Sequence, residues 1–201
     1  EAAPDGYTLL LYGSAVWLSP FIRASTPYDP VKDIAPIGLV GTTPLLIAVG
    51  KDSPIHSLQD LVQMARAKPN AVSYGSGGVG AMSYLGMELL AADAKVQFLH
   101  VPYKGMAPAF TDLMAGNLQA GLGTFATASS LIDAGRLRVL AVTSAQRTPF
   151  APAIPTTAEA GFPNVRIEFW WGLVAPAHLP PAIQSRLNKE LNAILVQPDM
   201  R

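Results

Sequence analysis

The chain has 201 residues, 50% hydrophobic and only 14% charged, against a usual charged share of about 25%. A composition this apolar excludes intrinsic disorder and provides one or two cores without disulfide or metal staples, and with no cysteine, thiol catalysis, cysteine-ligated zinc and iron–sulfur clusters are excluded as well. Lys plus Arg equals Asp plus Glu at 14 each, so the basic excess of a nucleic-acid surface is missing, and no run approaches the roughly 20 apolar residues that insert across a membrane.

Strand patterns alternate with helical patterns almost to the end, which marks an α/β fold with a parallel-type sheet. The first strand is read at 7–12, followed by a stretch at 14–23 whose type the pattern leaves open. The opening Glu1-Ala-Ala-Pro-Asp-Gly6 lacks the regions of a signal peptide, and the first strand has nothing before it to pair with, so an N-terminal truncation is expected. Three prolines within 26–36 predict a surface loop. Strands at 36–41 and 44–49 come next, then a helix at 57–68. Its Ser57-Leu-Gln-Asp60 has capping-box spacing with Asp for Glu, and Pro69-Asn70 ends it.

A strand at 71–75 runs into a glycine loop and a helix at 81–93, followed by strand 96–101, helix 106–115, strand 118–122, helix 126–134 and strand 137–143. After a second proline-rich stretch at 147–157 the pattern gives a strand at 165–174 and a helix at 181–196. Pro180-Pro181 suits the start of that helix, because a proline in the first turn loses no hydrogen bond. The two proline-rich stretches are candidate borders of an inner unit.

Ser73-Tyr-Gly75-Ser-Gly77-Gly-Val-Gly80-Ala-Met-Ser83 carries the most distinctive chemistry. Gly75, Gly77 and Gly80 form G-x-G-x-x-G between a strand and a helix. There, backbone N–H groups converge on an anion at the positive end of the helix, and Ser76 adds a hydroxyl. Two other readings stay open. One is a nucleotide-dependent α/β enzyme, although a dinucleotide fold also needs an acid about 20 residues further on. Val96-Gln-Phe-Leu-His-Val101 and Pro102-Tyr-Lys-Gly105 offer none, leaving Lys104 for a phosphate. The other is that the glycines only let a strand turn tightly into a helix.

Hydrolase chemistry finds less support. Tyr74 stands where a nucleophile elbow at Ser76 needs glycine. His56 and His178 read as solvated, and His100 as a satisfied strand residue. No paired carboxylates or metal-ligand cluster stands out, so neither catalysis nor a bound metal or cofactor is expected. Trp170-Trp171-Gly172 reads as core or as a flat wall over a ligand. Lys104 reads as a solvated loop charge or as one that attracts a carboxylate.

Seven motifs follow in order over the whole length: Asp5-Gly-Tyr-Thr-Leu-Leu10, Tyr28-Asp-Pro-Val-Lys-Asp33, Tyr74-Gly-Ser-Gly-Gly-Val-Gly80, Val101-Pro-Tyr-Lys-Gly105, Ala134-Gly-Arg-Leu-Arg-Val-Leu-Ala-Val-Thr-Ser144, Pro155-Thr-Thr-Ala-Glu-Ala-Gly161 and Trp170-Trp-Gly-Leu-Val-Ala-Pro176. Together they resemble the Bug family, the TctC-like periplasmic solute-binding receptors of tripartite tricarboxylate transporters. The resemblance implies a two-lobed α/β periplasmic-binding-protein fold, type II-like, with lobe one at 1–42 and 172–201 and lobe two at 43–171. It implies export to the periplasm and delivery of a small organic carboxylate (mono-, di- or aromatic acid) to membrane transporter subunits. The ligand would be held largely by backbone N–H groups at two βα loops.

Carried over by position, the carboxylate loop falls on Ser76, Gly77, Gly78, Val79 and Gly80, and the signature turn on Pro102, Tyr103, Lys104 and Gly105. Ser14 falls where members place a hydroxyl facing the cleft, and Thr124 and Trp171 complete the candidate set. Two departures stand out: Ala81-Met82 where members commonly have Ser or Thr, and Gly123-Thr124 in place of a common Asp-Asn pair, which predicts a less polar pocket on that side. Members also begin with an earlier βαβ piece and end with more helix. The chain is therefore expected to be a fragment truncated at both ends, or a shortened homologue, and if truncated to self-associate through lobe one.

Overall fold

Leu45-Leu-Ile-Ala-Val49 is apolar at every position, and once extended such a run needs apolar cover on both faces. In the computed structural model, which describes residues 2–22 and 24–200, that cover is two helix layers. The elements run β1 (Leu10–Gly13), α1 (Ala15–Ile22), β2 (Ile34–Gly50), α2 (Leu58–Ala67), β3 (Ser73–Ser76), α3 (Met82–Ala94), β4 (Leu99–Pro102), α4 (Met106–Met114), β5 (Ala120–Thr124), α5 (Phe125–Asp133), β6 (Leu137–Val142), β7 (Glu168–Pro176) and α6 (Pro181–Leu195). They fall into two compact units, Glu1–Thr42 with Trp170–Arg201, and Thr43–Phe169.

In the 43–169 unit, β6 and β5 flank β2 antiparallel, while β3 lies parallel to both β5 and β4. Leu45, Ile47 and Val49 pack with Leu58 and Leu61 of α2 and Met87 and Leu90 of α3. Leu46 and Ala48 face the other way, onto Phe110 and Leu113 of α4 and Ala128 of α5. The period-two alternation of a strand thus distributes one apolar run between two cores. Thr143, just past β6, accepts the Leu45 N–H on its Oγ1 at 3.0 Å and donates to the Ile167 carbonyl at 2.5 Å.

In the other unit, β1 pairs antiparallel with β7, placing Leu10 opposite Val174 and Gly13 opposite Trp171. The stripe Ile183, Leu187 and Leu191 of α6 covers Ile37, Ala175 and Leu179, as its i, i+4, i+8 spacing dictates. Asn188 Nδ2 donates to the Ile37 carbonyl at 2.7 Å.

Local signals set the helix ends. The Ser57 hydroxyl accepts the Asp60 N–H and the Asp60 carboxylate accepts the Ser57 N–H, a complete capping box. Asn70, with φ 61°, turns the chain after α2. The expected strands at 36–41 and 44–49 are instead one continuous strand, because Pro44 adopts extended backbone without interruption. That strand starts at Ile34, which shortens the proline-rich loop. The open stretch at 14–23 is helix α1. The sheet is mixed rather than parallel-type, since side-chain periodicity carries no information on strand direction. The first strand starts at Leu10 rather than at 7, where the Tyr7 N–H closes a turn on Asp5 Oδ1.

Candidate functional site

β3, β4 and β5 are parallel neighbours, so the helices that follow them, α3, α4 and α5, all begin at the same edge of the sheet. None of the three has a side-chain cap or an acidic residue in its first turn. Helix α2 follows a strand of opposite direction and carries both its own cap and Asp60. The first-turn N–H groups of a helix bear a partial positive charge worth about 0.3–1 kcal/mol to an adjacent anion. Three helices therefore present that charge at one edge, with no carboxylate of their own to neutralise it.

The glycine loop leads into α3. Gly78 and Gly80 have φ of 108° and 85°, a region that side-chain-bearing residues rarely enter. Ser76, fully buried, accepts the Gly78 N–H on its Oγ at 3.0 Å. Ser83 Oγ accepts the Gly77 N–H at 2.9 Å. Two loop amides are thus satisfied from within, while those of Val79 and Gly80 have no partner among the described residues.

The signature turn sits against this loop. The Tyr103 N–H donates to the Ser76 carbonyl at 2.9 Å, and a Cβ on Gly77 would lie 3.7 Å from Gly105 Cα. Gly105 has φ 107° and precedes the first residue of α4. Pro102 and Lys104 are exposed, and Lys104 makes no ion pair among the described residues. Tyr103 turns its phenol away from the loop, donating to Asp112 Oδ2 at 2.5 Å. That bond is the main cause holding the Asp112 carboxyl below its ordinary range, and it raises the Tyr103 phenol.

Thr124 precedes α5 at the same edge, its hydroxyl 3.2 Å from that of Thr127. Gly123 points elsewhere: a Cβ there would come within 2.7 Å of Phe110 Cζ. A Cβ at position 123 would thus meet the ring of Phe110 and, at 3.3 Å, the Thr127 hydroxyl. Gly75 is likewise a packing residue, where a Cβ would meet Leu118 at 2.7 Å and Ala109 at 2.8 Å. The first glycine of the G-x-G-x-x-G is therefore explained without a nucleotide.

His100, read from the sequence as a satisfied strand residue, finds its partner in the glycine loop. Its Nε2 lies 2.6 Å from Ser76 Oγ, and its ring stacks on Tyr74 at 5.0 Å and tilts against Tyr84 at 4.7 Å. Burial lowers its pKa, with Glu88 acting in the opposite sense. Tyr74 donates to Glu88 Oε1 at 2.7 Å, and burial first, then Glu88, drives the phenol well above its ordinary range. The clue was the alternation of His100 with Val101 on a strand adjacent to β3.

Ser14 and Trp171 belong to the other unit. Ser14 precedes α1, is 4% exposed, and its Oγ has no hydrogen-bond partner among the described residues. Trp171 is half-exposed on β7 opposite Gly13. Among the described residues no group of three or more His, Cys, Asp or Glu is placed to hold a metal ion, and no helix is long and apolar enough to cross a membrane.

An α/β scaffold with three uncapped helix starts at one edge suits the binding of an anion. The family model for the tripartite tricarboxylate transporter family receptor, TctC, matches residues 1–201, and the chain belongs to this family, which includes the Bug proteins. Protein BugT of Bordetella pertussis is 34% identical over 199 residues, covering 97% of this chain and 60% of BugT. Among solved structures, Rpa4515 of R. palustris with adipate superimposes with TM-score 0.87 at 32% identity, covering all of this chain and 67% of that one. MatC of Rhodopseudomonas palustris with bound malate gives 0.81 at 28% identity, covering all of this chain and 68% of that one. The chain thus spans about 60% of the length of the curated relatives it matches, and its fold is that of periplasmic binding proteins.

Proposed function

We propose that the chain is the ligand-binding part of a periplasmic receptor that captures a small organic carboxylate for a tripartite transporter and hands it to the membrane subunits without catalysis. The observation that carries this reading is the pair of N–H groups on Val79 and Gly80, just before α3, that have no partner among the described residues. Ser76, Gly77 and Gly78 shape that loop, and Pro102, Tyr103, Lys104 and Gly105 form its neighbouring wall, with Lys104 as the nearby cation. Thr124 adds a hydroxyl at the same edge. In the other unit, the Ser14 hydroxyl is buried and has no partner among the described residues, which makes it a polar group for that unit's own ligand contacts.

Adipate and malate, the ligands of two relatives, define the class to try first. With no acidic residue in the first turns of α3, α4 and α5, an ammonium group on the ligand finds no counter-charge there, and deaminated acids are favoured over amino acids. Thermal unfolding against mono-, di- and aromatic carboxylates tests the reading, since a ligand at 100 times its Kd adds about 2.7 kcal/mol. A shift with one or more acids is expected. A shift with NAD or NADP and none with any acid would overturn it.

A further inference from the structure

Ser76 Oγ has three neighbours and one proton. The Gly78 N–H donates to it at 3.0 Å, His100 Nε2 stands at 2.6 Å, and the Gly78 carbonyl lies at 3.3 Å. The shortest of these contacts is with the imidazole, which is held in place by Tyr74 on one side and Tyr84 on another. We propose that His100 is a positioning residue for the carboxylate site: neutral and protonated on Nδ1, it accepts the Ser76 hydroxyl hydrogen at Nε2, and as the imidazolium it donates to Ser76 Oγ and turns that hydrogen towards the glycine loop. The inference rests on the carboxylate reading above and adds to it the group that sets how strongly the loop attracts its ligand.

The geometry makes the two states distinct. With Nε2 unprotonated, Ser76 donates to His100 and accepts from Gly78, so its hydroxyl is fully used. With Nε2 carrying a proton, that N–H must donate to Ser76 Oγ, which now accepts twice and has its own hydrogen free. That hydrogen turns to the Gly78 carbonyl, 3.3 Å away, within the glycine loop. The imidazolium also places a full positive charge one hydroxyl behind the loop.

The titratable groups facing the ring are Tyr74 from β3 and Tyr84 and Glu88 from α3; β4 itself contributes none besides His100. Tyr74 stays protonated, its hydroxyl committed to Glu88. Glu88 is the charged group among the described residues that acts on the ring, and it favours the imidazolium against the penalty of burial. A bound carboxylate adds a second negative charge. Binding therefore takes up a proton, and affinity rises as pH falls through the pKa values of the free and occupied forms.

Calorimetric titration of the chain with adipate, with malate and acetate in parallel, between pH 8 and pH 6 tests this. If the bound carboxylate raises the His100 pKa by about one unit, affinity rises as pH falls, towards a limit of about tenfold. The rise is absent in His100→Gln, which keeps a hydrogen-bonding group but takes up no proton, and is retained in His56→Gln and His178→Gln, whose side chains are exposed. A rise that persists in His100→Gln, or a flat profile in the unaltered chain, would overturn the inference. Where the variant does not fold, proton NMR of the His100 ring in the unaltered chain gives the same answer. An imidazole pKa that is unmoved by saturating adipate would overturn the role of His100 while leaving carboxylate binding intact. No heat or shift with any of the three acids would instead overturn the carboxylate reading, and this inference with it.

Discussion

Phe110 Cζ stands where the side chain of residue 123 would begin: a Cβ built on Gly123 comes within 2.7 Å of it. The ring is 1% exposed and packed with Leu46, Ala48 and Leu113, so it has little room to withdraw. Gly123→Ala is expected to destabilise the fold by about 1–3 kcal/mol, the usual cost of overpacking, with Gly123→Asp worse because it adds a carboxylate beside an aromatic core. Urea unfolding of the two variants measures this. Unchanged stability in Gly123→Ala would show that α4 shifts freely.

The capping box gives a second, local prediction. Ser57→Ala removes the acceptor for the Asp60 N–H and should cost about 1 kcal/mol. The His56 N–H bond, and then Ser57, hold the Asp60 carboxyl below its ordinary value. A carboxyl lowered by folding adds stability above its unfolded pKa, and that contribution disappears as pH falls through the lowered folded pKa. Acid unfolding should therefore be less steep in Asp60→Asn than in the unaltered chain, as followed by circular dichroism from pH 5 downward.

Tyr74 provides the alkaline counterpart. Tyr74→Phe removes the 2.7 Å bond to Glu88 while keeping the ring against His100, and should lower stability by about 1–3 kcal/mol. The phenol is raised on folding, so its contribution is complete below the unfolded tyrosine value, about 10, and is lost as pH rises above it. Between pH 9 and 11 the unaltered chain should lose stability faster than Tyr74→Phe. Parallel curves would refute the assignment.

At the loop itself, Gly78→Val forces a β-branched residue into φ 108°. Backbone strain of about 1–3 kcal/mol is expected, together with at least a tenfold loss of adipate affinity as the amides of Val79 and Gly80 are displaced. Calorimetry read alongside a thermal melt separates the two effects. A variant that melts lower but binds equally well would show that these amides are not the anion contact.

Much of the fold was legible because its signals are local. Ser57 and Asp60 announce a helix start, Pro180-Pro181 another, and the spacing of Leu58, Leu61, Val62 and Ala65 shows the buried face of α2. The glycine loop and the Pro102–Gly105 turn were legible as a possible anion site for the same reason, since strand, glycines and helix lie in one stretch of chain. The rest depends on contacts between distant residues. Ser76 meets His100 across 24 positions, and Gly123 meets Phe110 from another element. Nor does a strand's side-chain alternation show which way its neighbour runs, and the mixed sheet was missed on that account. Extended backbone passing through Pro44 has no local signature either, and the long β2 was read as two strands.

Thr143 ties Leu45 and Ile167 to a single hydroxyl. Those two residues lie just inside the points where the chain leaves the 43–169 unit. Tension along either passage is therefore delivered to the same residue, through its hydroxyl and its backbone, so the two share a mechanical fastening. Thr143→Val would remove the hydroxyl link and leave the backbone bonds, Thr143 N–H to the Leu45 carbonyl and Ile167 N–H to the Thr143 carbonyl, to carry the load alone.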